Sequence, residues 1–406
     1  MTPPTATSVA VPADSTIGVA AKISKIANKD VQPKVSGLIK AETTFHVDVD
    51  SMDPKVALSL IEAGVRPHDQ TSNQILVGDG IIDPDNQEML HKTISEVGSQ
   101  GWEAVYDRMS VLLCKRNIGN ISNRVLLQTS PSDAYDTAKI VDHARRYAAE
   151  FERAGINKDR FCIKIPATGP GMNAGPILLK EGIRTLGTSL FSVPQAIASS
   201  QAGCLYISPY FNEVKAHDPA TGLFPNVRSP ATQHPMSPRM VQIYNVYKQL
   251  AETTGKPQPL IKGASNITAG EVLDMAKMGV HHVTILQPVL KQLSELSVES
   301  SSQQGDKDEQ ALDFETGKFD ESKPFSRELI AEMQALEKSD PLSPTKAPLD
   351  WGAHIDYLAN QGEELEKAIE ADPQTKRRLD DALNLFIDAE HRARDAILAA
   401  MKTVGV

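Results

Sequence analysis

From residue 43 onward, short apolar runs rich in β-branched residues alternate with longer stretches of helical spacing. The runs are 45–51 (FHVDVDS), 70–77 (QTSNQILV), 124–130 (RVLLQTS), 160–167 (RFCIKIPA), 184–192 (RTLGTSLFS), 204–210 (CLYISPY), 259–265 (PLIKGAS) and 281–288 (HHVTILQP). Strand–helix alternation makes a parallel sheet, and eight βα units within one segment predict a closed (β/α)8 TIM barrel. An open, doubly wound sheet is the competing architecture. No G-x-G-x-x-G follows the first run, which weakens it.

Between the runs lie helical stretches such as 133–155 and 268–279. The second opens on Thr268 with Glu271 three residues later, the pattern of a capping box, and stops at Gly279. The rest of the chain divides around the barrel. Residues 1–40 read as a disordered start (1–16) followed by a helical extension (17–40). Residues 41–295 form the barrel, and 296–324 are an acidic, Gly/Ser/Gln-rich flexible loop. Residues 325–406 carry helices over 325–339 and 361–402, expected to fold back on the barrel as flanking C-terminal helices.

The bulk properties exclude several function classes. A net charge of −10 disfavours a nucleic-acid binder, which needs a basic stripe. No run approaches the roughly 20 apolar residues that cross a bilayer, so no membrane association is expected. No Lys or Arg precedes Lys22, so neither a secretory signal nor a mitochondrial presequence is expected. The three cysteines, Cys114, Cys162 and Cys204, form no C-x-x-C pair. Cys162 and Cys204 sit in apolar strands and read as buried small hydrophobes, which suits a reducing cytoplasm. The ten histidines show no H-x-x-x-H or H-x-H. His281 and His282 are neighbours on a strand and point to opposite faces, so no metal is expected, and no cofactor.

In a barrel of this kind, chemistry gathers at the C-terminal ends of the strands. Those ends carry Asp48 and Asp50; Thr71, Ser72 and Asn73; Gln128 and Thr129; Lys164; Thr188; Ser208 and Tyr210; Lys262 and Ser265; and Gln287. Lys164 is the outlier, because it stands inside the apolar strand F-C-I-K-I-P-A. Burial disfavours an ammonium and lowers its pKa, and a neutral amine is what carbinolamine formation requires. An outward-facing lysine snorkelling past a helix is the alternative. The Asp, Asn, Thr and Ser residues on neighbouring strand ends favour the inward one. They provide a carboxylate to move protons, and neutral groups to hold a polyol.

These motifs resemble the transaldolase family. Residues 160–210 resemble its lysine strand K-I-P-A/S-T, its G-I-x-x-N-x-T-L-L-F-S strand and its I-S-P-F strand, without a gap. Thr71-Ser72-Asn73 resembles T-[ST]-N-P, Asp50-Ser51-Met52-Asp53 the early D-x-x-D, and Gly263-Ala264-Ser265 the G-A-S motif. The similarity spans roughly 43–294. It implies that Lys164 forms a Schiff base with a ketose donor. Asp50 then moves the proton of the hydroxyl at the breaking bond, with Asp48 as the competing choice. Asn73, Thr188 and Ser208 hold the donor, and Ser265 lies in the binding site. The implied partner is a small sugar or ketone, and a homodimer is expected from the family.

Three departures resemble the fructose-6-phosphate aldolase branch instead. Gln128 stands where transaldolases carry a glutamate, Tyr210 replaces the phenylalanine of I-S-P-F, and Leu186 replaces an asparagine. That branch implies a water positioned by Gln128 and Tyr210. Two further positions bear on phosphate, for Glu213 and Ile267 stand where the family has arginines. Lys262, Lys215 and Arg228 are the candidate substitutes for those arginines. Three functions follow: dihydroxyacetone-unit transfer between sugar phosphates of the pentose phosphate type, an aldolase on a non-phosphorylated ketone in specialised metabolism, and a catalytically silent barrel acting as a scaffold.

Overall fold

The computed structural model describes residues 34–299, 327–343 and 351–405. Its centre is a closed barrel of eight parallel strands: β1 (His46–Asp50), β2 (Gln70–Thr71), β3 (Val125–Gln128), β4 (Phe161–Pro166), β5 (Thr185–Leu190), β6 (Tyr206–Pro209), β7 (Leu260–Gly263) and β8 (His282–Leu286). Neighbours pair in chain order and β8 pairs back with β1, His46 opposite His282, which closes the ring and excludes the open sheet. The neighbouring rungs Gln128–Lys164 and Pro166–Thr188 fix the relative heights of the site residues on β3, β4 and β5.

Every expected run contains a strand, but 70–77 does so only over Gln70–Thr71. The side chain of Asn73 accepts from the backbone N–H of Ile75 and Leu76 at 2.9 and 3.2 Å. It thereby caps a helix, Gln74–Ile82. The apolar stretch after Asn73 is the start of that helix rather than the end of a strand. The box at Thr268 forms as the spacing predicts, Thr268 accepting from Glu271 N, and Gly279 takes a left-handed turn at φ 76°.

The first residues of the acidic stretch, Ser297–Glu299, pair antiparallel with Lys34–Ser36. Residues 1–33, on which the disordered start and most of the helical extension fall, lie outside the described residues, as do 300–326. After these come helices Arg327–Glu337, Ala359–Glu370 and Pro373–Val404. The last, 32 residues and about 48 Å long, touches the helix after β2, the turn after β3, β5 and the turn after β6. It therefore crosses the C-terminal face of the barrel. The three cysteines are buried and free, and burial pushes the Cys162 thiol up to about 12. No described helix is long and apolar enough to cross a membrane.

Candidate active site

Leu126, Cys162, Leu186, Tyr206 and Leu260 form a small apolar cluster separate from the main core. Leu126 pairs with Cys162, Leu186 with Tyr206 and Tyr206 with Leu260, and together they fill the barrel interior. Side chains two residues apart on a strand share a face. Gln128, Lys164, Thr188 and Ser208 therefore stand inward, one layer nearer the mouth, and all four are buried. Leu186, read from sequence as a pocket departure, belongs to the cluster beneath.

Lys164 is 4 % exposed, and its Nζ donates to the Ser72 carbonyl at 2.8 Å. Burial lowers its pKa to about 8 against the opposing pull of the Asp50 carboxylate, and the Lys262 ammonium adds to the lowering. About a tenth of the amine is then neutral at pH 7. Asp50 lies half-buried at the strand end and accepts from Thr71 Oγ1 at 2.7 Å, and Thr71 in turn bonds Thr284. The Tyr210 hydroxyl lies 3.4 Å from Thr188 Oγ1, and burial pushes it up to about 12, so it stays a proton donor. Neither amide atom of Gln128 has a partner among the described residues, although both are buried. An unsatisfied amide of this kind is costly unless something polar binds it. Asn73 keeps only its amide nitrogen for a ligand, because its oxygen caps a helix. Ser265 sits in left-handed backbone at φ 63°, and its Oγ bonds His217 Nε2 at 2.8 Å. His217 was missed in the sequence; it lies exposed at the end of a short 3-10 turn, Val214–His217, that carries no motif.

Asp48 is not at the mouth. It is fully buried one layer down, joined to Lys262 Nζ and to His282 Nδ1, the latter at 3.1 Å. Lys262 also bonds Asp69 at 2.9 Å and is itself fully buried. Asp48 is committed to an ion pair, leaving Asp50 as the carboxylate beside Lys164, and Lys262 is not available to a substrate phosphate. Its ammonium fills the space among Asp48, Asp69 and His282.

Glu213 does not stand alone at the mouth. Arg377 from the C-terminal helix grips Glu213 with two bonds of 2.5 and 3.1 Å, and Arg378 approaches to 3.7 Å. Lys215 pairs with Asp381 at 2.7 Å.

A Lys164 that acts as a nucleophile must first lose its proton, so on that reading kcat/KM is expected to rise with pH through about 8. The measurement is a pH–rate profile at low substrate. A profile that is flat over about pH 6 to 9 is the contrary result.

The transaldolase/fructose-6-phosphate aldolase family model matches residues 47–339. The chain is 30 % identical over 282 residues to a transaldolase of Thermosynechococcus vestitus, covering 67 % of this chain and 69 % of that one. It is 31 % identical over 236 residues to a transaldolase of Edwardsiella ictaluri, covering 57 % and 72 %. A transaldolase of Trichormus variabilis is 29 % identical over 284 residues, covering 68 % and 82 %. With its closed barrel, its inward lysine on β4 and a match over well more than half its length, the chain belongs to the transaldolase/fructose-6-phosphate aldolase family.

Proposed function

We propose that the chain makes and breaks a carbon–carbon bond of a ketose by aldol chemistry through a Schiff base on Lys164. The observation that carries this is the buried amine with its lowered pKa, beside one carboxylate and a ring of neutral hydrogen-bonding groups. Neutral Lys164 Nζ attacks the ketone carbonyl to give a carbinolamine, and loss of water leaves an iminium. Asp50 takes the proton of the hydroxyl on the carbon β to the iminium. The α–β carbon bond then breaks, an aldehyde departs, and the electron pair is held as an enamine. In the reverse sense, the enamine attacks an acceptor aldehyde. Tyr210 and Gln128 flank the position of the water lost and regained, and the tyrosine donates a proton where a glutamine alone cannot.

A second reading concerns the donor. Ile267 offers no charge, and Arg377 is engaged in neutralising Glu213, while Arg378 reaches Glu213 only at 3.7 Å and keeps Nε and Nη1 without a partner among the described residues. This favours a ketone without a phosphate dianion over a sugar phosphate. Steady-state rates with fructose 6-phosphate plus erythrose 4-phosphate, set against free dihydroxyacetone plus simple aldehydes, decide between the two. The second reading expects the free ketone to turn over faster. Phosphate-dependent transfer at about 1 s⁻¹ or more, an ordinary enzyme rate, rules it out.

A further inference from the structure

The N-terminal end of the barrel, opposite Lys164, holds a cluster that the aldol chemistry does not use. Glu42 is the last residue of the helix Gly37–Glu42, His46 is the first residue of β1, and His68 stands two residues before β2. His68 Nε2 lies 3.0 Å and His46 Nδ1 3.9 Å from the same oxygen, Glu42 Oε1. One donor atom from each residue lies within 4.8 Å of the other two. A tetrahedral ion with bonds of about 2.0–2.1 Å keeps its ligand atoms roughly 3.4 Å apart, and the two measured separations bracket that value.

The donors are held in place by backbone bonds. Val47 N donates to the second carboxylate oxygen, Glu42 Oε2, at 2.9 Å, and His68 N donates to Val47 O, also at 2.9 Å. His46 N donates to His281 O at 3.0 Å, tying the cluster to β8 as well. Burial alone would raise the Glu42 carboxyl. The nearby histidines and the bond from Val47 N hold it instead at about 2, so it stays a charged acceptor. All three side chains keep between 19 % and 26 % of their surface exposed, which leaves an entry path and an open fourth position. The two imidazole rings lie with centroids 3.4 Å apart and tilted by 40°. An ion shared between them requires the rings to spread.

We propose that Glu42, His46 and His68 bind one borderline divalent transition ion such as Zn2+ or Co2+, with water as the fourth ligand. Two imidazoles and one carboxylate suit such ions, whereas Mg2+ and Ca2+ favour all-oxygen sites. The ion joins three segments that meet at the base of the barrel, so its role is a clamp far from the reacting atoms. Sequence spacing hides it, because the donors come from a helix end, a strand start and a loop.

The test uses the tag-free full-length protein, stripped with chelator and titrated with Zn2+ by calorimetry and with Co2+ by visible absorption. One ion per chain, a higher Tm with Zn2+, and loss of more than about tenfold in affinity in both Glu42→Gln and His68→Ala are expected. His391→Ala, at an exposed histidine on the C-terminal helix, should bind as the parent does. Glu42→Gln keeps the side-chain shape, and its folding is checked by circular dichroism. The idea is overturned by the absence of a one-to-one site, or by undiminished binding in a folded Glu42→Gln or His68→Ala protein.

Discussion

Lys164→Met is expected to cut kcat/KM by at least about 10³-fold while making the protein more stable. The first effect follows from the proposed mechanism, in which Lys164 is the group that attacks the carbonyl. The second follows from the depressed pKa. A lysine at about 8 in the fold and near 10.5 unfolded is a group whose charged form the fold disfavours. Its cost is full below pH 8 and fades as pH rises through 10.5, amounting to about 3 kcal/mol at pH 7. Methionine has similar length and no charge. It loses the bond to the Ser72 carbonyl, worth about 1 kcal/mol, so a net gain of about 2 kcal/mol is expected. Urea unfolding at pH 7 and pH 10 measures this, with the larger gain at pH 7. A destabilised Met variant would show that the amine is better solvated than its burial indicates.

Lys262→Met, the same chemical change one layer deeper, is expected to act in the opposite direction. Lys262 is held charged by Asp48 and Asp69, all three fully buried. Burial opposes that charge, but the two carboxylates outweigh it and raise the ammonium's pKa. Removing the cation leaves two carboxylates uncompensated in the barrel interior, a change that costs about 3–5 kcal/mol. Against a total of about 5–15 kcal/mol, that brings a domain close to unfolding. Thermal and urea unfolding check it, and an unchanged midpoint would contradict the ion-pair account. The variant Asp48→Asn/Asp69→Asn/Lys262→Met, which removes the charges together, should recover part of the loss.

The contrast between these two lysines shows what the sequence made legible. Both stand in apolar strands near polar strand ends. Lys164 could be read because its β4 surroundings match a family motif. Lys262 could not, because its partners Asp48 and Asp69 are about 200 residues away in the chain and meet it only when β7, β8, β1 and β2 close the ring. The strands themselves were legible from apolar runs, since a buried parallel sheet needs them. The run 70–77 misled because Asn73 is a helix cap as well as a motif residue. Glu213 was read from sequence as a departure without its partners. Its partners Arg377 and Arg378 sit on the C-terminal helix, and no local pattern says that this helix crosses the mouth.

The Schiff base itself is tested most directly by borohydride trapping. The protein is incubated with dihydroxyacetone or fructose 6-phosphate, reduced, digested and analysed by mass spectrometry. One reduced ketose adduct on Lys164, absent from Lys164→Met, is the expected result. No adduct with any of a panel of ketoses, or an adduct that persists elsewhere in Lys164→Met, would contradict the central claim and favour a silent barrel.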